Sequence, residues 1–459
     1  MPQNMKNLLG RLSPQQVLPL SFLGIIIFGA LLLLTPWSTK AGAMPFIDAL
    51  FTATSAVCVT GLIVVDTGTY FTPFGQGVIL GLIQVGGLGI MTFSVLFYSL
   101  LGSSIRLRDR IIVQSSFTTP QKQDVLKLVK SIFLYTFAIE GAGVILLLAA
   151  WPGGSPNSTR VWIAVFHSVS AFCNAGFSLF RDSFMEYRFN WWINLIITSL
   201  IIAGGLGFIV LMELGRWVKQ KLRKQQRPRL SLHSKLVLTT TACLIAGGGL
   251  LFFVLESRDS LATVSLNGKI LASYFQSVTA RTAGFNTMDI YALANPTLFI
   301  LMILMFIGAS PGSCGGGVKT INAAILVIIA RNRFKGKEEG EVFKRTIPRE
   351  TLSRSVTIII SSVVLISVVG CLLMIAETGR YAHPETRGKF LEYLFETVSA
   401  FGTVGLSMGV TPTLTNMGKI LIMVMMFLGR LGPLNLAFSL AKRAPVKKFH
   451  YGEEKIFIG

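Results

Sequence analysis

Residues 166–178 read FHSVSAFCNAGFS, and the same string returns three more times in altered form. Residues 51–62 read FTATSAVCVTGL, residues 274–287 read YFQSVTARTAGFNT, and residues 395–407 read FETVSAFGTVGLS. Each copy is an apolar run of about three helical turns, then a short Ser/Thr/Ala stretch closing on a glycine. The glycines are Gly61, Gly176, Gly284 and Gly405, spaced by 115, 108 and 121 residues. Intervals this long denote four copies of a whole structural unit, not a solenoid. A single glycine after a short helix reads as a plain C-cap; four copies in the same setting do not. The third copy is one residue shorter between Thr279 and Gly284, so either its helix shifts or its turn contracts.

Outward from these strings the chain is apolar. Of 459 residues 52% are hydrophobic and 14% charged, and the mean hydropathy is +0.63. Soluble proteins carry about 25% charged residues, so most of this surface faces lipid. Runs such as 17–34 and 355–375 reach the ~20 residues that span a bilayer. No small-residue cleavage site follows the first run, which reads as a span rather than a signal peptide. The pattern predicts, in each unit, a span, a half-helix too short to cross, a turn, and a second span. These fall at 17–34, 43–57 and 74–101; at 126–151, 161–172 and 189–215; at 235–255, 268–280 and 296–330; and at 355–375, 388–400 and 418–440. The units themselves run 1–105, 106–225, 226–335 and 336–442, with a tail over 443–459.

The net charge of +21 is segregated. Residues 106–130, 216–235 and 331–354 hold six, eight and eight Lys/Arg, all between units. Excess Lys/Arg marks the cytoplasmic side. The expected location is therefore the cytoplasmic membrane, multi-pass, with both termini and every linker inside. Stacking aromatics do not interleave with the basic residues, which argues against nucleic acid. Five cysteines, an odd number, lie in predicted membrane segments and argue against a disulfide framework. No HExxH, paired intramembrane carboxylates or Ser/His constellation points to an enzyme. His167, His233, His383 and His450 are widely separated, and His167 reads as a polar residue of its half-helix rather than a ligand.

Non-helical backbone at membrane depth survives only where protein buries it or water reaches it. Four parallel units can bring four such turns to one axis. A ring of carbonyls there can replace the hydration shell of a monovalent cation, with the C-terminal ends of the half-helices adding partial negative charge. The candidate ion-binding residues are Val59, Thr60 and Gly61; Asn174, Ala175 and Gly176; Thr282, Ala283 and Gly284; and Thr403, Val404 and Gly405. The expected fold class is an all-α membrane protein: four parallel helix–pore-helix–filter–helix repeats, eight spans, around a pseudo-fourfold central pore.

A second motif marks the inner helices: Gly86-Gly87-Leu88-Gly89, Gly204-Gly205-Leu206-Gly207 and Gly429-Arg430-Leu431-Gly432. Its glycines read as close packing. Arg430, standing where the others have Gly87 and Gly205, is a charge within an apolar helix and a functional candidate; snorkelling to the inner interface is the alternative. In the third unit the matching stretch, 308–317, is GASPGSCGGG, which cannot be an ordinary helix. Val318 separates its last glycine from Lys319, so it is no phosphate-binding loop. It reads as a flexible, polar gate below the turns, a static kink being the alternative. The candidate gate residues are Gly308, Ser310, Gly312, Ser313, Cys314, Gly315, Gly316, Gly317, Lys319 and Arg430.

Taken together, residues 17–440 resemble the Trk/Ktr/HKT potassium transporters, most specifically through SVTARTAGFN and GASPGSCGGGVKT. With eight predicted spans the chain is most similar to the Ktr-type membrane subunit. That resemblance implies potassium uptake through a selectivity filter at the four glycines, with K+ as the transported ion, sodium as a candidate coupling ion, and no covalently bound cofactor. It implies a homodimer, with the tail at 451–459 at the dimer contact, and a cytosolic RCK-type (KtrA-like) nucleotide-binding ring. It also implies an intramembrane gating loop at 308–317 with Arg430 as its electrostatic partner. Relatives with serine in the first turn lean towards sodium, so Gly61 favours potassium. Cys314 departs from the usual Thr or Ser of that loop. The competing readings are the potassium-translocating subunit of a P-type ATPase, a membrane enzyme and a docking scaffold.

Overall fold

The computed structural model describes residues 14–89, 125–151, 157–224, 229–337, 339–379 and 386–432. The chain is mostly helical. Its helices are α1 (Pro14–Leu33), α2 (Phe46–Val57), α3 (Pro73–Leu88), α4 (Val125–Ala150), α5 (Asn157–Phe172), α6 (Trp191–Leu206) and α7 (Phe208–Leu222). There follow α8 (Leu232–Glu256), α9 (Leu266–Thr279), α10 (Asn295–Phe306), α11 (Thr320–Phe334), α12 (Arg349–Thr378), α13 (Lys389–Gly402) and α14 (Asn416–Leu431). A two-stranded hairpin, β1 (Gly340–Val342) and β2 (Arg345–Ile347), joins α11 to α12. The tail at 443–459 and the linker residues 106–124 lie outside the described residues.

Among the described residues α1, α4, α8 and α12 are each long and apolar enough to cross a membrane, and α6 with α7 makes a fifth if the bent pair is one span. Their large apolar side chains, such as Leu134, Ile145 and Val364, are exposed, as lipid-facing residues should be. The half-helices are different. At 12 residues, α2 is about 18 Å long and is buried from Phe51 to Val57. It is polar enough (Thr52, Thr54, Ser55) that burial needs partners, and Thr52 and Thr54 donate to the carbonyls of Asp48 and Leu50.

Short polar signals set the starts of the inner helices. The Thr72 hydroxyl accepts from Gly75 N at 3.2 Å with Pro73 at the first helical position, and Thr415 does the same for Gly418. Such caps satisfy amides that otherwise lack partners. In the last two units a carboxylate from the preceding long helix ties down this corner. Glu256 accepts from Ala294 N at 3.1 Å, and Glu377 from Thr415 N at 3.0 Å.

Packing between units runs in a closed cycle. Helix α3 packs on α5, α6 on α9, α10 on α13, and α14 returns to α2. A largely buried ion pair fastens the last step, Lys419 Nζ on α14 to Asp48 Oδ1 on α2 at 2.6 Å.

One expectation about the inner helices is corrected. The run 189–215 is not one helix: it breaks at Gly207, where α6 and α7 meet at 106°. The last glycine of each motif ends a helix with left-handed backbone, φ +84 at Gly89, +91 at Gly207 and +83 at Gly432, a region that residues with a side chain avoid. Close packing accounts for the first glycine of each motif, and Gly87 and Gly207 also pack closely, a Cβ there falling 2.7 Å from Cys173 Sγ and 2.6 Å from Pro311 O. A Cβ on Gly86, Gly204 or Gly429 would fall under 3.0 Å from the carbonyl oxygen of Val57, Phe172 or Phe401. In the third unit the run 296–330 divides into α10 and α11 around the glycine-rich stretch, as the composition of 308–317 required.

Candidate functional site

The four turns share one backbone design. Two residues before each glycine stands a residue with positive φ: Val59 (+56), Asn174 (+59), Thr282 (+70) and Thr403 (+49). The glycines follow at +89, +70, +77 and +93. Left-handed residues two apart make a tight strip of backbone, and glycine at the second place avoids most of the strain.

Serine or threonine in each half-helix anchors its turn. The Ser55 carbonyl accepts from Thr60 N at 2.8 Å, that of Ser170 from Ala175 N at 2.8 Å, and that of Ser399 from Val404 N at 2.9 Å. The hydroxyls of Ser55 and Ser399 also accept from Gly61 N and Gly405 N, each at 3.1 Å. In the third copy Thr279 O accepts from Ala283 N at 3.0 Å, spanning four residues where the others span five. The anchor keeps its place and the turn contracts, which resolves the one-residue shortening.

A further brace lies behind each of the last three turns, at the residue after the recurring phenylalanine of the string. His167 donates from Nδ1 to Ile163 O, so its Nε2 accepts from the Ser178 hydroxyl at 3.0 Å and from Leu179 N at 3.3 Å. Glu396 accepts from the Ser407 hydroxyl at 2.9 Å and from that of Thr411, while Gln276 reaches Thr287 at 3.5 Å. His167 is therefore a structural polar residue. The sequence signal for Gln276 and Glu396 is their position in the aligned strings.

What brings the turns together is a ring of close approaches. A Cβ built on Gly61 would lie under 3.0 Å from Ala175 O; one on Gly176, under 3.0 Å from Ala283 O; one on Gly284, from Val404 O; and one on Gly405, from Thr60 O. The order one to two, two to three, three to four and four to one closes on itself. Each turn thus abuts the next copy's turn, with no lipid-facing member; Thr60, Asn174, Ala175, Thr282, Ala283, Thr403 and Val404 are all fully buried.

Beneath this ring sits the 307–319 loop, which is not a loose insertion. Ser310 N donates to Gly205 O at 3.0 Å, Cys314 N to Gly204 O at 3.2 Å, and Gly317 N to Gly429 O at 3.3 Å. Gly316 N donates to the Thr403 hydroxyl at 2.9 Å, directly under the fourth turn. The glycines are needed for contact: a Cβ on Gly315 or Gly316 would strike the Thr282 or Thr403 side chain, and Gly312 and Gly317 have φ of +68 and +66. Ser313 and Ser310 bond within the loop, the Ser313 hydroxyl to Ser310 O at 2.6 Å. Thr320 and Ser310 join its two ends through their hydroxyls at 3.1 Å, and Gly308 lies against Gly316.

Two cations clasp the loop. Arg430 donates to Cys314 O on one side and to the carbonyls of Gly86 and Gly87 on the other. Its guanidinium thus bridges the loop to the first unit's inner helix and does not reach for the interface. Lys319 turns back on its own loop, donating to Gly315 O at 2.7 Å and Gly316 O at 3.4 Å. The Cys314 side chain is fully buried, and its backbone groups, not its thiol, make the inter-unit contacts above. All five cysteines are free.

The chain matches the TrkH family, described as cation transport protein, over residues 24–451. This chain belongs to the TrkH cation transport family. The match spans most of the chain, and TrkH-family membership makes it a multi-pass membrane transporter and not an enzyme. It is 41% identical over 451 residues to the Ktr system potassium uptake protein B of Bacillus subtilis, covering 98% of this chain and 97% of that one. It is 38% identical to the potassium/sodium uptake protein NtpJ of Enterococcus hirae, covering 98% of each. To the Ktr system potassium uptake protein B of Vibrio alginolyticus it is 36% identical, covering 97% and 94%. The crystal structure of the potassium transporter TrkH from Vibrio parahaemolyticus superposes with a TM-score of 0.68 at 19% identity, over 92% of this chain and 84% of that one. At that identity the likeness establishes the TrkH fold alone.

Proposed function

We propose that this protein takes up potassium across the cytoplasmic membrane through a pore on the axis of the four turns. In this reading the four units are parallel repeats and the inner helices complete eight spans. The carbonyls of residues 59–61, 174–176, 282–284 and 403–405 stand in for water around a dehydrated K+. The observation that carries it is the closed cycle of approaches from Gly61 through Gly176 and Gly284 to Gly405 and back. Four strips of backbone with matching dihedral angles, buried against one another at membrane depth, have no role in lipid-facing packing. The relatives named for potassium uptake support the choice of ion, and the one named for potassium and sodium supports a sodium dependence. A pump subunit finds no such support.

The 307–319 loop is the gate. It lies directly below the ring, its amides donate to carbonyls of α6 and α14, and Arg430 fastens it to the carbonyls of α3. Opening requires exchanging these contacts for water. In the cell, the protein works as a homodimer with a cytosolic nucleotide-binding ring, in keeping with relatives that are named as parts of a Ktr system. The test is purified protein in liposomes loaded with potassium, with rubidium uptake followed with and without a sodium gradient. Uptake of rubidium that excess potassium blocks is expected; equal permeation of rubidium, sodium and choline would overturn the filter.

A further inference from the structure

Opposite the ring, where α11 ends and α12 begins, a cavity of about 410 Å³ opens between the two helices. Its walls divide by chemistry. Arg333, Lys337 and Arg349 line one part, and Ile329, Leu352 and Val356 the other. Glu339 is the one carboxylate among the described lining residues. The lining is therefore cationic at the helix ends and apolar where α12 enters its membrane span, which begins at Arg349.

Among the described residues the charge there is only partly compensated. Lys337 pairs with Glu341 on β1, but among the described residues neither Arg333 nor Arg349 lies within ion-pair distance of a carboxylate. No side chain caps the start of α12, and Glu350 in its first turn offsets only part of the positive charge of that helix end beside the two guanidinium groups. The cavity is also built, not incidental. Buried Asn332 donates from Nδ2 to the carbonyls of Glu339 and Glu341, at 3.2 and 3.1 Å, and so holds the hairpin over the gap. Phe334, at the end of α11, is 92% exposed, an aromatic at the level where such side chains mark the membrane interface.

We propose that this cavity binds one anionic phospholipid, its phosphate between Arg333 and Arg349 and the start of an acyl chain along Ile329, Leu352 and Val356. Basic pockets between membrane helices recognise such headgroups because Arg matches phosphate geometry and the low-dielectric rim strengthens the attraction. A soluble phosphate compound would leave the apolar wall unused, and a zwitterionic lipid would bring a further cation to a site that already has three. The inference concerns lipid alone and holds whichever ion the protein carries. Its structural consequence is local: α11 begins at Thr320, directly after the 307–319 loop, so the lipid fixes the far end of the helix that carries the loop.

The test is native mass spectrometry of the full chain in detergent, titrated with phosphatidylglycerol or with phosphatidylcholine of the same acyl chains. One tightly held phosphatidylglycerol is expected. The double variant R333Q/R349Q should weaken it by about 30-fold, taking the contribution of each cation at a charged membrane surface. R333K/R349K should restore much of it, and R345Q, on the hairpin outside the cavity, should leave it unchanged. Equal binding of both lipids, an unaltered titration in R333Q/R349Q, or complete displacement by millimolar inorganic phosphate would each overturn the proposal.

Discussion

The ring of turns and the layer beneath it are built from the same four units and treat their symmetry in opposite ways. In the ring, four different sequences give one backbone, down to the paired positive φ values and the cyclic approach of each glycine to the next turn. One layer below, three inner helices end on a glycine of nearly equal φ, while the third carries the 307–319 loop and the fourth carries Arg430. Symmetry is kept where, on the proposed reading, an ion must meet the same oxygen from every side. It is discarded where a path must be blocked, since a single loop from one unit can fill a central space that four equal pieces would crowd.

The sharpest way to break this comparison is to spoil one quadrant of the ring. Gly284→Ser sets a side chain against Val404 O in a left-handed residue, with about 1–2 kcal/mol of backbone strain before any clash. Loss of growth at micromolar potassium, or of sodium exclusion, is expected in a strain without its own uptake systems; unchanged values of both would remove Gly284 from the filter. Next comes the closure of the cycle. Lys419→Met leaves Asp48 buried and unpaired, and should cost about 3–5 kcal/mol, read as a lower melting temperature in detergent. The double variant with Asp48→Asn should regain part of it; a single variant as stable as the parent would mean that the pair does not hold the last unit to the first.

In the lower layer the effect should have the opposite sign. Arg430→Gln removes charge-assisted bonds worth about 1.5–3 kcal/mol each, so flux without partner subunits should rise at least tenfold, and deletion of 308–317 should raise it too. Flux at or below the parent level in well-expressed protein would rule out the clasp. Smallest of all, Gly207→Ala strains one left-handed residue and presses on Pro311 O, an effect of about 1–2 kcal/mol. A modest shift in basal flux is expected with ion selectivity unchanged. Altered selectivity would mean that the two layers are not separable in function.

Much of the upper layer was legible from the chain alone. Gly61, Gly176, Gly284 and Gly405 announce themselves because a positive φ is a local demand that only a few residue types meet cheaply. The three-turn half-helices and the long apolar helices follow from periodicity and length. Even Arg430 stood out, because a charge in an apolar helix is costly wherever it lies. The inner helices were read less well: the motif at 204–207 looked like packing alone, when its last glycine packs against Pro311 O and also turns the chain by 106°. Nothing local distinguishes those two uses, since both require only the absence of a Cβ.

Sequence by itself determined the four recurring strings, the apolar helices and the glycine at each turn, since these depend on residues within a few positions of one another. Tertiary structure alone decided the order in which the turns abut and the partners of Arg430, which lie 116 and 344 residues away. It also decided the meeting of Lys419 with Asp48 across 371 residues. Such contacts arise from how whole helices pack, and no periodicity in the chain encodes which carbonyl a distant guanidinium will find.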